Sequence, residues 1–185
     1  MTEESQRHRY GFLLGITLVL ILVDQASKSY IMNTMYLHQS IPVIPEFFSL
    51  TYIRNPGAAF GILAQSSGAF RTVFFLVTSV FALGLLGTIF IRLHPTDWWG
   101  QLTIVSIFGG AIGNLIDRLQ FGEVIDFLDF YVSGYHWPAF NVADSAISVG
   151  VVSLLILFAL DKKKTSDPHE SEPSSTQPSP QEPQP

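Results

Sequence analysis

Two long stretches of this chain carry no formally charged residue. Twenty residues lie between Arg71 and Arg92, and nineteen lie between Asp97 and Asp117. An α-helix rises about 1.5 Å per residue, so roughly 20 apolar residues match a hydrocarbon core of about 30 Å. A surface helix of a soluble protein would carry a polar face within each stretch, and neither stretch has one. The pattern predicts helices that span a membrane.

Two further apolar segments bring the predicted spans to four. Charged residues make up 14% of the 185 residues, against about 25% in a typical soluble domain. Between the first two spans, the alternate residues Phe48, Leu50 and Tyr52 are large and apolar, which predicts a short strand. The fold class is therefore an all-α membrane protein with four transmembrane helices and a small β-strand element. The spans are placed at about residues 11–32, 72–91, 98–116 and 138–160.

Basic residues next to the spans all lie on one side. Arg7 and Arg9 precede the first span, Arg92 lies between the second and third, and a run of three lysines from Lys162 follows the fourth. With four spans these groups face one compartment, which the positive-inside rule assigns to the cytoplasm. Both termini are therefore predicted to be cytoplasmic. The first span lacks a small-x-small cleavage site and is followed by further spans, so it is interpreted as a retained anchor rather than a signal peptide.

The composition changes sharply near the C-terminus. Residues 165–185 are rich in proline, serine, glutamine and glutamate. Such a segment cannot bury enough apolar surface to offset the entropy of ordering it. We therefore divide the chain into a four-span domain, residues 1–164, and a disordered cytoplasmic tail, residues 165–185.

Composition also excludes several classes of function. The chain has no cysteine, so it has no disulfide, thiolate nucleophile or cysteine-bound metal. Its net charge is −5, and it has no basic stripe of the kind that binds nucleic acid. We expect no metal, no cofactor and no nucleic-acid partner.

Polar and ionisable residues interrupt the spans at one end. By the predicted orientation this is the outer end, and four separate stretches of chain contribute to it. An ionisable group at membrane depth is costly, so it is usually paired or functional. The distribution favours a site that opens outward. The residues are Asp24, Lys28, Asn114, Asp117, Arg118, Asp126, Asn141 and Asp144.

Asp126 and Asp144 are 18 residues apart and flank an outer loop, so their carboxyl groups can meet. Two carboxyl groups within hydrogen-bond reach share one proton, because both cannot ionise cheaply. The charged member can take a proton from a water molecule that attacks a peptide carbonyl. The protonated member can hydrogen-bond to that carbonyl and then protonate the leaving nitrogen. The spacing also fits a structural role, in which each Asp caps a helix or pairs with Arg118.

Other close pairs allow both functional and structural interpretations. Asn114 and Arg118 are four residues apart, which places them on one helical face. They either bind substrate or belong to a structural ion pair with Asp117. Asp24 and Lys28 have the same spacing and can form a stabilising pair at the end of the first span.

Small residues at helical spacing predict close helix packing. Gly109 and Gly113 form a small-xxx-small face, which lets two helices approach closely. Gly11 and Gly15 repeat the pattern weakly.

Aromatic residues are frequent in the outer segment 119–137. Such rings favour the boundary between membrane and water. They form either an interfacial belt or a surface that contacts substrate.

Two other classes of membrane protein use acidic residues. A transporter or proton channel would need polar groups through the whole membrane, where the second and third spans offer only Thr78, Ser79 and Ser106. A non-catalytic scaffold would use the acids in ion pairs alone.

Five segments, in this order, resemble those of the lipoprotein signal peptidases, the signal peptidase II family. Any one of them alone is a weak signal, but all five within four spans, over residues 12–160, form a specific one. They are DQASK (Asp24–Lys28), NPGAAFG (Asn55–Gly61), GGAIGNLIDR (Gly109–Arg118), VIDF (Val124–Phe127) and FNVAD (Phe140–Asp144).

The resemblance implies roles for eight residues. Asp126 and Asp144 match the catalytic aspartates. Six more match the residues of the substrate site. Three of these match residues that position the substrate, namely Asn114, Arg118 and Asn141. The other three match residues that support the site, namely Asp24, Lys28 and Asn55.

The resemblance also implies an activity. The family cleaves diacylglyceryl-modified prolipoproteins immediately before the lipidated cysteine, needs no metal, and is inhibited by the cyclic peptide globomycin. Its site lies at the periplasmic face of the bacterial inner membrane, below a periplasmic β-strand cradle that residues 44–63 resemble. We therefore expect a monomeric membrane aspartyl endopeptidase whose partners are prolipoproteins and membrane lipids.

Overall fold

The computed structural model describes residues 3–57 and 67–166, with side chains as far as Leu160. Four helices within these residues are long and apolar enough to cross a membrane. They confirm the four predicted spans, although the first is longer at its N-terminal end and the third at its C-terminal end. The helices are α1 (Glu3–Thr34), α2 (Gly68–Arg92), α3 (Trp98–Phe121) and α4 (Val142–Ser166).

A four-stranded antiparallel sheet covers one end of the helices. Its strands are β1 (Ser40–Ile44), β2 (Phe48–Asn55), β3 (Val124–Val132) and β4 (Tyr135–His136), and they neighbour one another in that order. The predicted strand is confirmed as β2. The other three strands were not predicted. The sheet joins the loop after α1 to the loop after α3, so it brings two distant parts of the chain together.

The start of the fourth span differs from the prediction. The helix begins at Val142 rather than at residue 138, so Asp144 lies in its first turn. The reason is that Trp137 and Phe140 hydrogen-bond to β3, which holds the segment that they bound extended. α4 continues to Ser166, and the rest of the predicted tail lies outside the described residues. Residues 58–61 of the predicted NPGAAFG segment also lie outside them.

Glycines on α3 allow the other helices to approach closely. A Cβ atom at Gly113 would lie 2.5 Å from Asp24 Oδ2, and one at Gly110 would lie 2.5 Å from the Ala143 carbonyl oxygen. The predicted small-residue face on α3 is therefore confirmed. The weaker pattern on α1 is not a packing face, because a Cβ at Gly15 would meet no atom within 4 Å.

α2 packs against α3 and is otherwise open to its surroundings. None of its residues is buried, although it is the most hydrophobic of the four helices. A helix that is apolar all round but unburied within the protein is suited to contact with lipid.

A small apolar core fixes the sheet to the end of α1. Ile31 and Met35 pack with Tyr52, Ile125 and Phe127, all of them buried. Burying a large apolar side chain contributes about 1.5–3 kcal/mol, so this cluster holds β3 firmly in place. The residue between the two buried β3 side chains is Asp126, and its position is fixed with theirs.

We predict that Gly113→Ala destabilises the protein, because its methyl group would collide with the Asp24 carboxylate. Such overpacking costs about 1–3 kcal/mol. The measurement is thermal unfolding in detergent micelles. Gly15→Ala is the matched control and should unfold at or above the wild-type temperature, because the new methyl group has free space and alanine favours the helix. Equal unfolding temperatures for the two variants would contradict the packing described.

Candidate active site

A cavity of about 660 Å³ lies between the sheet and the neighbouring ends of α3 and α4. Its wall combines amide, carboxyl and guanidinium groups with aromatic rings. Three of the six predicted substrate-site residues line it, as do both predicted catalytic acids. These five are Asn55, Asn114, Arg118, Asp126 and Asp144.

Asp126 lies on β3 and is only 2% exposed. The core side chains on either side of it direct its carboxyl group towards the cavity. Two side-chain amides donate to that group: Asn141 Nδ2 to Oδ1 at 2.8 Å, and Asn55 Nδ2 to Oδ2 at 2.9 Å. The carboxyl group is thus held in one orientation from two sides.

The pKa of Asp126 is raised to about 7, mainly by burial and in addition by the negative charge of the neighbouring Asp144. The amides of Asn55 and Asn141 and the charge of Lys28 oppose the increase in pKa. Desolvation dominates because a carboxylate loses its hydration when it is enclosed. A carboxyl group with this pKa can hold a proton at neutral pH.

Asp144 lies in the first turn of α4, where it forms a reciprocal cap with Asn141. The backbone N–H of Asp144 donates to Asn141 Oδ1 at 2.9 Å, and the backbone N–H of Asn141 faces Asp144 Oδ2 at 3.3 Å. This is the geometry of a capping box. Asn114 Nδ2 donates to the other carboxyl oxygen at 2.7 Å. The capping residue is Asn141 rather than Asp144, and the Asp144 carboxyl group completes the box while it also lines the cavity.

Asn141 contacts both acids, through its side chain to Asp126 and through its backbone to Asp144. It is fully buried and does not line the cavity. Its position therefore differs from that expected of a residue that touches substrate. Its contacts bring the two predicted catalytic carboxyl groups to one cavity.

Lys28 is 1% exposed and lies next to Asn114, which lines the cavity. Its Nζ is 2.8 Å from Asp24 Oδ2 and 2.8 Å from Asp117 Oδ2, and it donates to Asn114 Oδ1 at 3.0 Å. Neither Lys28 nor Asp24 lines the cavity. Lys28 contacts the cavity wall through Asn114.

The Lys28 ammonium group determines how the Asn114 amide is oriented. An ammonium group can only donate, so the Asn114 atom that faces it must be the oxygen. Asn141 Nδ2 donates to the same oxygen at 3.2 Å. The Asn114 NH₂ group is thereby turned towards Asp144.

Comparison with known proteins identifies the family. The family model described as Signal peptidase (SPase) II matches residues 16–160. The chain belongs to the signal peptidase II family. A lipoprotein signal peptidase of Geobacter sulfurreducens is 51% identical over 147 residues, which cover 80% of this chain and 91% of the relative. One of Syntrophus aciditrophicus is 48% identical over 155 residues, covering 84% of this chain and 96% of the relative.

A solved structure has a similar fold. A bacterial membrane enzyme determined by the in meso method has a TM-score of 0.76 and 37% sequence identity, covering 88% of this chain and 95% of the other. The predicted fold and enzyme class are confirmed: this signal peptidase II is a multi-pass membrane aspartyl peptidase.

Two residues of this signal peptidase II were not predicted to support the site, although Asp117 was named among the polar residues at the outer ends of the spans. Gln25 Nε2 lies 2.9 Å from Asp117 Oδ1, 3.1 Å from the Gly113 carbonyl oxygen and 3.2 Å from Asp24 Oδ2. Asp117 Oδ2 also accepts from the backbone N–H of Ile125 at 3.1 Å. Both residues lie inside the motifs that carried the family resemblance, which was the signal available in the sequence.

Arg118 lines the cavity together with Asp126 and Asp144 but contacts neither acid directly. Its Nη1 donates to the Asn114 carbonyl oxygen at 3.2 Å, and its guanidinium group lies 5.1 Å from the Phe75 ring centroid. Among the described residues it forms no ion pair. The predicted alternative, a pair with Asp117, is wrong, because Asp117 pairs with Lys28.

Two of the aromatic residues near the outer loops line the cavity, namely Trp137 and Phe140. Trp137 is 65% exposed, whereas Phe140 stacks on Phe130 at a centroid distance of 5.7 Å. Tyr135 is 85% exposed and does not line the cavity. The segment therefore contributes both to the cavity and to the outer surface.

In the part of the chain that the structure describes, no group of three or more acidic or histidine side chains is arranged to hold a metal ion.

We predict that Lys28→Met strongly destabilises this signal peptidase II, because two buried carboxylates would lose their cation. Breaking a buried ion pair by removing one partner costs about 3–5 kcal/mol. Unfolding in detergent is the measurement. Adding Asp24→Asn should recover part of the loss, because one uncompensated charge is removed. A Lys28→Met variant as stable as the wild type would contradict the assigned network.

Proposed function

We propose that this signal peptidase II removes the signal peptides of diacylglyceryl-modified prolipoproteins by cutting immediately before the lipidated cysteine. The family match and the similarity to lipoprotein signal peptidases support this substrate class. The cleavage position follows the family resemblance of the sequence motifs. Cleavage relies on Asp126 and Asp144 as a pair that shares one proton.

The observation that supports the pair most directly is the position of Asn141. It donates to both carboxyl groups, so they lie on either side of one buried residue and open into one cavity. The raised pKa of Asp126, caused by burial and by the charge of Asp144, is the property expected of the member that carries the proton.

In the proposed reaction, Asp144 is charged and Asp126 is protonated. Asp144 takes a proton from a water molecule as its oxygen attacks the scissile carbonyl carbon. The Asp126 hydroxyl donates a hydrogen bond to the carbonyl oxygen, where negative charge develops. When the intermediate collapses, the C–N bond breaks and Asp126 gives its proton to the leaving nitrogen of the cysteine. The proton on Asp144 then restores the shared state of the pair.

The surrounding groups hold this arrangement rather than react. Asn55, Asn114 and Asn141 fix the carboxyl groups by hydrogen bonds. Arg118, the cation in the cavity wall, binds the substrate main chain or its ester carbonyl groups by donating hydrogen bonds. Lys28, which is paired with Asp24, sets the orientation of the Asn114 amide.

The position of the cavity fits a substrate anchored in lipid. It lies at the ends of α3 and α4 that face the sheet, whereas Arg9 and Arg92 lie at the opposite end of the helices. The positive-inside rule then places the termini in the cytoplasm and the site at the periplasmic face of the inner membrane. A signal helix that crosses this membrane presents its cleavage point at the same depth. The protein acts as a monomer, and globomycin inhibits it by occupying this cavity.

We predict that Asp126→Asn and Asp144→Asn each reduce cleavage by at least about a thousandfold, because an amide can neither accept the water proton nor return one. The assay uses purified protein in micelles with a diacylglyceryl-modified prolipoprotein. Asp129→Asn is the matched control and should retain activity, because Asp129 is buried on the same strand but does not line the cavity.

Thermal unfolding of the three variants tests whether they are folded. A folded Asp126→Asn or Asp144→Asn variant that cleaves within tenfold of the wild-type rate would refute the pair.

We predict that activity falls as pH rises through about 7. Burial raises the pKa of Asp126 to about 7, so this carboxyl group is protonated below that pH and charged above it. Above it both carboxyl groups are charged, and kcat/KM should decrease towards tenfold per pH unit. The measurement is kcat/KM between pH 5 and 9, with samples returned from pH 9 to pH 6 to test for irreversible loss. A constant kcat/KM from pH 6 to 9 would show that the catalytic proton is not carried by Asp126.

A further inference from the structure

The chain between β4 and α4 forms the edge of the sheet beside the cavity. The Trp137 N–H donates to the Phe130 carbonyl oxygen at 2.8 Å. Phe140 exchanges two hydrogen bonds with Leu128, at 3.1 and 2.8 Å. Two residues, 138 and 139, therefore lie opposite the single β3 residue 129. An extra residue on one strand of an antiparallel pair is a β-bulge, a feature common beside active sites.

The bulge leaves backbone groups without a partner in the sheet. Phe140 pairs both its N–H and its carbonyl group with β3, whereas Ala139, one residue earlier, pairs neither of its groups with that strand. Within residues 3–57 and 67–166, neither group of Ala139 has a hydrogen-bond partner. Pro138 has no N–H, and its carbonyl oxygen is also unpaired there. Both residues are half-buried and line the cavity.

This edge is held close to the two acids. Ala139 is two residues before Asn141, the residue that contacts both Asp126 and Asp144. A strand advances about 3.3 Å per residue, so the free edge begins roughly 7 Å from that contact. A peptide paired with the edge would therefore pass the acids within about two of its own residues.

We propose that Ala139 binds the substrate main chain as an added strand, its N–H donating to a substrate carbonyl and its own carbonyl accepting from a substrate N–H. This rests on the proposed peptidase function and adds the binding mode of the substrate. The ligand is an extended peptide segment within about three residues of the scissile bond. A helical segment cannot form these bonds, so the signal helix must be unwound where it enters the cavity.

Binding through the main chain suits a peptidase with many substrates. Hydrogen bonds between strands use groups that every residue except proline possesses, so they add affinity without selecting side chains. The bulge also supplies the reason for a proline at 138. Proline contributes no N–H group to the edge, and only Ala139 is left to donate there.

The first test compares Ala139→Pro with Ala139→Gly. Proline removes the N–H group, whereas glycine keeps it and serves as the matched control. One main-chain hydrogen bond corresponds to about tenfold in kcat/KM, so Ala139→Pro should lose about that factor relative to Ala139→Gly. Equal kcat/KM for two folded variants would overturn the proposal.

The second test starts from the wild-type enzyme, so it can overturn the proposal even if Ala139→Pro fails to fold. Each lipidated peptide substrate carries a single backbone ester in place of one of the five amide bonds nearest the scissile bond, which itself stays an amide. An ester removes one N–H and weakens the preceding carbonyl as an acceptor. We expect one position to lose about tenfold in kcat/KM, and the same ester to cost Ala139→Pro less than it costs Ala139→Gly.

Esters tolerated within twofold at every position would overturn the proposed strand. Asp144→Asn with the unmodified substrate separates this result from failure of the catalytic proposal. If Asp144→Asn is folded and cleaves while the ester scan still shows one sensitive position, the acids are wrongly assigned and the strand is retained. If Asp144→Asn is inactive and the scan is flat, the acids are retained and the strand is wrong.

Discussion

The arrangement of this membrane peptidase depends on one buried cation. Lys28 has almost no exposed surface, and its charge is balanced by Asp24 and Asp117 on two different helices. Each acid uses its second interaction to fix another element: Asp24 accepts from a backbone N–H in the first turn of α4, and Asp117 accepts from one at the start of β3. Buried charges are costly unless they are paired and hydrogen-bonded. The requirement to satisfy this one cation therefore holds α1, α3, α4 and the sheet in a single relative position, and the two predicted catalytic acids lie on the last two of these elements.

Helix packing and this polar network depend on each other. Lys28 can reach Asp117 only if α1 lies very close to α3, and a helix with a side chain at Gly113 would not permit that approach. Close approach in turn removes water from the charges, which strengthens the attraction between them and raises the cost of losing one. The apolar cluster that includes Ile31 and Ile125 closes the same region from the side of the sheet. Packing fixes the positions of the elements, and the network determines which polar atom faces which.

The sequence allowed the four spans to be predicted because their apolar runs are long, and it allowed Asp126 and Asp144 to be paired because a short outer loop separates them. It did not reveal β3, whose two acids interrupt the apolar pattern that identifies a strand. It placed the start of α4 too early, because the hydrogen bonds of Trp137 and Phe140 go to a strand that was not predicted. Gln25 and Asp117 lie 92 residues apart and nothing local connects them, so their contact required the fold.

The two acids also differ in their secondary structure, and this difference bears on which of them carries the proton in the proposed reaction. Asp144 lies at the N-terminus of α4, where the free backbone N–H groups and the helix dipole stabilise a negative charge. Asp126 lies on a strand, which has no comparable dipole, and its pKa is raised to about 7 mainly because it is buried. Both acids accept hydrogen bonds from neutral amides, so those bonds alone do not distinguish them. In the proposed reaction, the helix N-terminus therefore supports the charged base and the buried strand supports the protonated acid.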